Sequence, residues 1–324
     1  MKAMVVEELG APEIMKLLEL PALSAGPGEI RVRVRAAGLN FPDILMIAGK
    51  YQHKAEPPFT PGMEGAGEVI EVGEGVGDFS PGDRVIVHAK TGMFAEETVV
   101  PADSAVPLPD GWDFAEGAAF WSAYLTAYVG LVSRGWLKAG EWALIHGAAG
   151  GVGLAAVELA HALGARVIAV VGSETKAAAV KAMGADHVID HRNEDFRERV
   201  LEITGGHGAD VAYDPVGGDM LFQSIRCIAW GGRVLVIGFA GGTIPDVPAN
   251  YALLKSCSVI GVRAGEYGRR DPAAGREVMT ALMGLAREGR IRPHVHARLP
   301  LTEAAGALGL LSRREVIGKA VLDI

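Results

Sequence analysis

Cysteine is nearly absent: the 324-residue chain holds two, Cys227 and Cys257. Two thiols make neither a disulfide framework nor a cysteine-based zinc cluster. Both lie in apolar segments and are expected to be core thiols in a reducing compartment. Excess positive charge is also lacking, and a formal net charge of −8 disfavours a general nucleic-acid surface, which is normally basic. No apolar run approaches the roughly 18 residues that span a bilayer. The opening Met1-Lys2-Ala3-Met4-Val5-Val6-Glu7-Glu8 has no secretory hydrophobic region. The expectation is a cytoplasmic protein with neither a membrane nor a nucleic-acid partner. There is no repeat, no low-complexity tract and no Gly-x-Ser-x-Gly elbow. His88, His146, His294 and His296 do not fall at a metal-ligand spacing on one helix. What remains, with 49% hydrophobic and 22% charged residues, is an ordinary globular composition, long enough for two domains.

Against that background one stretch stands out, His146-Gly147-Ala148-Ala149-Gly150-Gly151-Val152-Gly153. Before it runs the apolar strand Trp142-Ala143-Leu144-Ile145; after it, a helix from about Val152 to Leu163 and a second strand, Arg166 to Val171. This is a βαβ unit with a glycine turn at the helix N-terminus, where free N–H groups and the helix dipole favour a pyrophosphate. The match is Ala148-x-Gly150-x-x-Gly153, with alanine at the first of the three usual glycine positions. Ala149, Gly150, Gly151, Val152 and Gly153 are therefore expected to bind a dinucleotide.

The tip of the second strand bears on which dinucleotide. An NAD site usually carries Asp or Glu there for the ribose 2′-hydroxyl. This chain has Gly172-Ser173-Glu174-Thr175-Lys176, and Arg192 follows the third strand, Ala185 to Asp190. A hydroxyl and two cations, Ser173, Lys176 and Arg192, suit a 2′-phosphate, so NADPH is expected over NADH. Glu174 is the contrary signal, unless it serves the next helix; Lys176 and Arg192 read alternatively as solvated charges.

The texture changes along the chain. Up to about Ala119 it is short strands and turns. Glu29-Ile30-Arg31-Val32-Arg33-Val34-Arg35 alternates at period two, and Gly67–Gly73 and Asp83–His88 are further strands, as in a small β-barrel. From Ser122 to Val262 helices and strands alternate, with Asp210–Asp214, Arg233–Gly238 and Ser256–Gly261 continuing a six-strand series. After Val262 a helix at about Ala273–Glu288, a strand near His294–Ala297, a helix at Thr302–Ser312 and a strand at Gly318–Asp323 are expected to return to the first domain. The fold class is α/β, a β-barrel domain (1–121 and 263–324) with a doubly wound parallel-sheet Rossmann domain (122–262).

The layout resembles the medium-chain dehydrogenase/reductase superfamily and, within it, the zinc-free quinone oxidoreductases related to zeta-crystallin. The resemblance rests on Gly38-Leu39-Asn40-Phe41-Pro42-Asp43, Gly49-Lys50-Tyr51, Pro61-Gly62-Met63-Glu64-Gly65-Ala66-Gly67, Gly82-Asp83-Arg84-Val85 and Leu125-Thr126-Ala127-Tyr128. The nucleotide turn, Tyr213-Asp214-Pro215-Val216-Gly217-Gly218 and the terminal Gly318-Lys319 add to it. It implies a GroES-like barrel domain. Asn40 stands where zinc-dependent members have their first cysteine ligand and Met63 where they have histidine, so no metal site is expected. The resemblance also implies hydride transfer to a small electrophilic acceptor, a quinone or enone, with the cofactor carrying the chemistry.

By the same resemblance, Asn40, Tyr51 and Thr126 are the candidate catalytic residues, Asn40 and Thr126 also meeting the nicotinamide. Tyr51 would donate to the acceptor oxygen, and Thr126 would begin the helix facing the cofactor. Gly238, Phe239 and Ala240 would lie against the nicotinamide at strand carboxyl ends. Lys319 would reach the 2′-phosphate or else stand as a solvated surface lysine, and a homodimer would form through the Rossmann sheet edge. Phe41 replaces a residue that is often polar in quinone reductases, so the pocket is expected to be more apolar. Tyr213 and His146 are expected to be structural. Two other activities remain open: an enoyl- or acryloyl-thioester reductase, and an NADPH-binding protein without turnover, with a structural, sensing or RNA-binding role.

Overall fold

The computed structural model describes residues 1–324, which divide into two compact units. The first comprises Met1–Ser122 and Arg292–Ile324; the second comprises Ala123–Ile291.

The first unit is built on the alternation seen at Glu29. Strand β3 (Glu29–Gly38) buries Ile30, Val32, Val34 and Ala36 and turns its arginines outward, as a half-solvated strand must. It pairs antiparallel along one side with β4 (Glu64–Val72). Its other side is shared by β6 (Glu97–Pro101) and β15 (Lys319–Asp323). Strands β5 (Arg84–His88), β7 (Ala105–Pro107) and β14 (Val295–Pro300) complete a seven-stranded sheet. A separate pair, β1 (Lys2–Val5) and β2 (Lys16–Glu19), starts the chain. Helices α1 (Phe41–Ile47), α2 (Phe114–Ala118) and α11 (Ala304–Ser312) belong to this unit. Its core gathers Ile30, Val32, Val34, Val85, Phe94 and Leu322.

Helix α3 (Trp121–Tyr128) leads into the second unit and continues as a π-helical turn over Val129–Arg134. Six parallel strands follow: β8 (Trp142–Ile145), β9 (Arg166–Val171), β10 (His187–Asp190), β11 (Ala209–Asp214), β12 (Ile228–Val236) and β13 (Ser258–Gly261). Their order is β10-β9-β8-β11-β12-β13, the doubly wound order whose strand direction of travel reverses between β8 and β11. Helices α4 (Gly151–Ala162), α5 (Glu174–Ala182), α6 (Phe196–Ile203), α7 (Asp219–Cys227) and α8 (Ala249–Lys255) connect them. The central strands are buried over nearly their whole length, as a sheet covered on both faces requires.

One boundary differs from expectation. The chain returns to the first unit at Arg292, so Arg263–Ile291 stays with the parallel sheet's unit. Helices α9 (Ala264–Arg270) and α10 (Pro272–Arg287) lie there, and α10 buries Val278, Met279, Leu282 and Met283. Just beyond α10, the Arg290 guanidinium donates to the carbonyl of Ala162 at the end of α4. Cys227 is a core thiol as expected, whereas Cys257 is only half-buried. No helix is long and apolar enough to cross a membrane.

Candidate functional site

At the end of β8 the chain makes the glycine turn. His146 N–H donates to the Tyr213 carbonyl, Ala148 N–H to Val170, and Gly150 N–H back to Gly147. Gly150 is the N-cap of the 12-residue α4 and offers no side chain, so no cap claims the N–H groups of Gly151, Val152 and Gly153. Such a terminus suits an anion, the more so for the helix dipole. The turn is tight: a Cβ at Gly153 would sit 2.2 Å from the Gly147 carbonyl oxygen. Only glycine lets α4 start so close to its own strand, while buried Ala148 and Ala149 fill the space beneath.

The tip of β9 gathers the second cluster. Ser173 is the N-cap of α5, its Oγ accepting from Lys176 N–H at 3.4 Å. A Cβ at Gly172 would lie 3.0 Å from His191 Nε2 and 3.2 Å from Arg192 Nε, so both side chains converge beside Ser173. Lys176 follows in the first turn of α5. Glu174 is exposed in that same turn, where a negative charge suits the dipole, and the helix alone accounts for it. His191 escaped the sequence reading. Its signal was its place beside Arg192, in the loop after β10.

The loops after β11 and β12 are zipped together. Asp214 Oδ1 accepts from Val216 N–H (2.7 Å) and Gly217 N–H (3.0 Å). Ala240 N–H donates to Pro215 and Gly241 N–H to Val216, which fixes the Gly238-Phe239-Ala240 backbone beside the β11 end. Phe239, 38% exposed, lies over Gly217. His146 is fully buried, its Nε2 2.7 Å from Ser224 Oγ. Ser224 Oγ in turn donates to the Met220 carbonyl, which leaves His146 Nε2 as the donor. Burial holds this imidazole below its usual pKa, with His191 acting in the same direction and Asp214 opposing. Its role is structural, as is that of Tyr213, whose ring is wholly buried. Thr126 corrects an expectation: it is the sixth residue of α3, half-buried, and does not begin a helix.

The first unit holds a different kind of cluster. Asn40 precedes α1, and its backbone N–H donates to Asp43 Oδ2 at 2.8 Å. Its side chain turns away from the helix, Nδ2 donating to Glu64 Oε1 (2.8 Å) and Oδ1 accepting from Lys319 Nζ (2.7 Å). Lys319 Nζ also donates to Glu64 Oε1 (2.7 Å) and to the Leu39 carbonyl (2.8 Å). Glu64 Oε2 accepts from Ser122 N–H at 2.8 Å. All four side chains, Asn40, Asp43, Glu64 and Lys319, are buried. Burial pushes the Asp43 carboxyl up to about 7, against the pull of its backbone bond to Asn40 and of the Lys319 charge.

Lys319 therefore corrects another expectation. An ammonium has three N–H groups, and all three are committed inside this unit, so none is left for a 2′-phosphate. Tyr51 lies half-buried in the loop after α1, its backbone N–H bound to the Leu45 carbonyl. No local signal near residue 319 points to the Lys319–Glu64 pair, whose members are 255 residues apart.

Residues 26–110 match the family model for the alcohol dehydrogenase GroES-like domain, and residues 151–282 that for zinc-binding dehydrogenases. A quinone oxidoreductase-like protein 2 homolog from Nematostella vectensis is 38% identical over 99% of this chain and 88% of its own length. Among solved structures, Escherichia coli quinone oxidoreductase complexed with NADPH superposes with a TM-score of 0.90 at 33% identity, over all of both chains. The CurK enoyl reductase gives 0.90 at 27% identity, covering 99% of this chain and 98% of its own. The zinc in the second family's description does not fit these residues. Asn40 and Met63 offer an amide and a thioether, Glu64 is taken by Lys319, and no three His, Cys, Asp or Glu side chains gather to hold a metal ion.

Proposed function

The chain belongs to the zinc-free quinone oxidoreductase family of the medium-chain dehydrogenases/reductases, and from that premise we propose that it is an NADPH-dependent reductase of quinones or other conjugated carbonyls. The observation that carries the cofactor choice is the β9 tip, where Arg192 and His191 converge on Gly172 beside the Ser173 hydroxyl. A guanidinium beside a hydroxyl and a helix N-terminus suits a phosphate. The β9 tip itself ends in Gly172-Ser173, without the acidic side chain that would take a ribose 2′-hydroxyl.

The N–H groups of Gly151, Val152 and Gly153 hold the pyrophosphate; Ala149 and Gly150 shape the turn. Ser173, Lys176 and Arg192 hold the 2′-phosphate. Gly238, Phe239 and Ala240 present backbone at the sheet's carboxyl edge, where the nicotinamide lies, with Thr126 also facing it. When bound, NADPH supplies the hydride. Tyr51 and Asn40 donate hydrogen bonds to the acceptor oxygen, where negative charge develops.

The protein works in the cytoplasm, where two unpaired thiols stay reduced. It works as a homodimer through β13, the sheet's edge strand, whose Val259 is 40% exposed.

The test is NADPH oxidation at 340 nm with 1,4-benzoquinone, 9,10-phenanthrenequinone, an enone and crotonyl-CoA, with NADH run in parallel. Quinone-dependent oxidation that prefers NADPH supports the proposal. Turnover of the thioester alone moves the assignment to an enoyl-thioester reductase, the reading favoured by likeness to the CurK enoyl reductase. NADPH binding without turnover on any acceptor points instead to a non-catalytic role.

A further inference from the structure

We infer that Lys319 and Glu64 are positioning residues, whose buried ion pair fixes the Asn40 amide and leaves one of its N–H groups as the uncommitted donor of the cluster. The orientation follows from the partners. Lysine donates and never accepts, so the Asn40 oxygen must face Nζ; a carboxylate accepts and never donates, so the nitrogen must face Glu64. Neither partner can easily turn. Lys319 spends its remaining donors on Leu39 and Glu64, while the other oxygen of Glu64 is held by Ser122 N–H. The backbone of Lys319 is fixed as well, its N–H donating to the His294 carbonyl at 3.0 Å.

The missing side chain at Gly38 gives the pair its room: a Cβ there would come within 2.8 Å of Glu64 Cγ and 2.1 Å of the Ala118 carbonyl oxygen. Among the nitrogen donors of the cluster every N–H is then accounted for except one. The second Nδ2 hydrogen of Asn40 has only the Gly38 carbonyl, at 3.5 Å, the outer limit of a hydrogen bond. Asn40 is also the least buried of the four residues, 7% exposed against 5% for Lys319 and 0% for Glu64 and Asp43. The remaining N–H is thus the cluster's donor for a ligand oxygen.

The kinetic arm of the test rests on the proposed reductase function; the spectroscopic arm does not. The sequence has three asparagines, Asn40, Asn193 and Asn250, and two glutamines, Gln52 and Gln223, so side-chain 15N labelling yields five amide pairs, and Asn40→Ala identifies one. In the wild-type protein the Asn40 pair should show two distinct protons, one exchanging slowly. In Lys319→Met/Glu64→Gln, which removes both charges of the pair, its exchange should approach that of exposed Asn250. An Asn40 pair unchanged in the double variant overturns the inference, whatever the protein's activity.

In the kinetic arm the double variant should lose about tenfold or more in kcat, with NADPH and NADH affinities within about twofold of wild type. In an Asn40→Ala background the same two substitutions should have no further effect on kcat, because they act through Asn40. Additive losses, or a selective loss of NADPH over NADH affinity, contradict the inference. Wild-type protein inactive on every acceptor refutes the reductase assignment alone, and the amide signals then decide the positioning role.

Discussion

The two units carry their polar clusters in opposite ways. In the parallel-sheet unit the candidate anion site is made of backbone: N–H groups at the start of α4, set by a glycine turn within eight consecutive residues. In the GroES-like unit the cluster is made of side chains, and the bond from Lys319 to Leu39 closes a separation of 280 residues. A backbone site tolerates varied side chains but no added Cβ. A buried ionic site tolerates changes of shape but no unpaired charge.

That contrast can be broken at both ends. The largest effect is expected from Lys319→Met, which strands Glu64 in the interior and should lower stability in urea unfolding by about 3–5 kcal/mol. Adding Glu64→Gln should recover more than half of the loss. A loss as large in the double variant would mean that packing, not charge, holds the cluster. Next comes Gly153→Ala, whose Cβ must displace the Gly147 carbonyl from 2.2 Å. Fluorescence titration should show NADPH affinity falling more than tenfold, with about 2–3 kcal/mol of stability lost. Gly150→Ala, where the nearest atom is 3.3 Å away, should be milder.

Asp43 tests the ionic cluster by pH. Its folded pKa of about 7 stands above the ordinary value of 3.8, so the folded state holds the proton more tightly than the unfolded chain. The stabilisation is complete below the unfolded value and is lost as pH rises through about 7, at up to ~1.4 kcal/mol per pH unit. Asp43→Asn should flatten melting temperature across that window. An equally steep profile in the variant would assign the dependence to another group. The smallest effect is expected from Arg192→Ala: about tenfold weaker NADPH binding, roughly 1.4 kcal/mol, with NADH unchanged. Equal losses for both cofactors would remove Arg192 from the 2′-phosphate.

Sequence legibility follows the same division. The βαβ unit was readable because its signals are local. Apolar runs mark β8 and β9, glycines mark the turn, and α4 starts within a residue of expectation. Strand β12 begins earlier than its apolar run, because Ile228–Gly232 joins the sheet through a register shift opposite Ala209 and Val211. Segment 263–291 reads from sequence as part of the first unit but lies in the second, since an amphipathic helix such as α10 shows that one face is buried but not against what. Lys319 reads as a 2′-phosphate ligand or a surface lysine for the same reason. Its burial depends on β15 pairing with β3 and on a carboxylate from β4, neither of which is visible near residue 319.

Single-turnover mixing of wild-type protein and NADPH with 9,10-phenanthrenequinone is the most direct measurement, followed at 340 nm with NADH as the comparison. The expected result is quinone-dependent loss of absorbance, at least tenfold faster with NADPH at equal subsaturating concentrations. It should slow when the transferred hydrogen is deuterium. Loss of absorbance indifferent to the quinone, or faster with NADH, would contradict an NADPH-dependent hydride transfer.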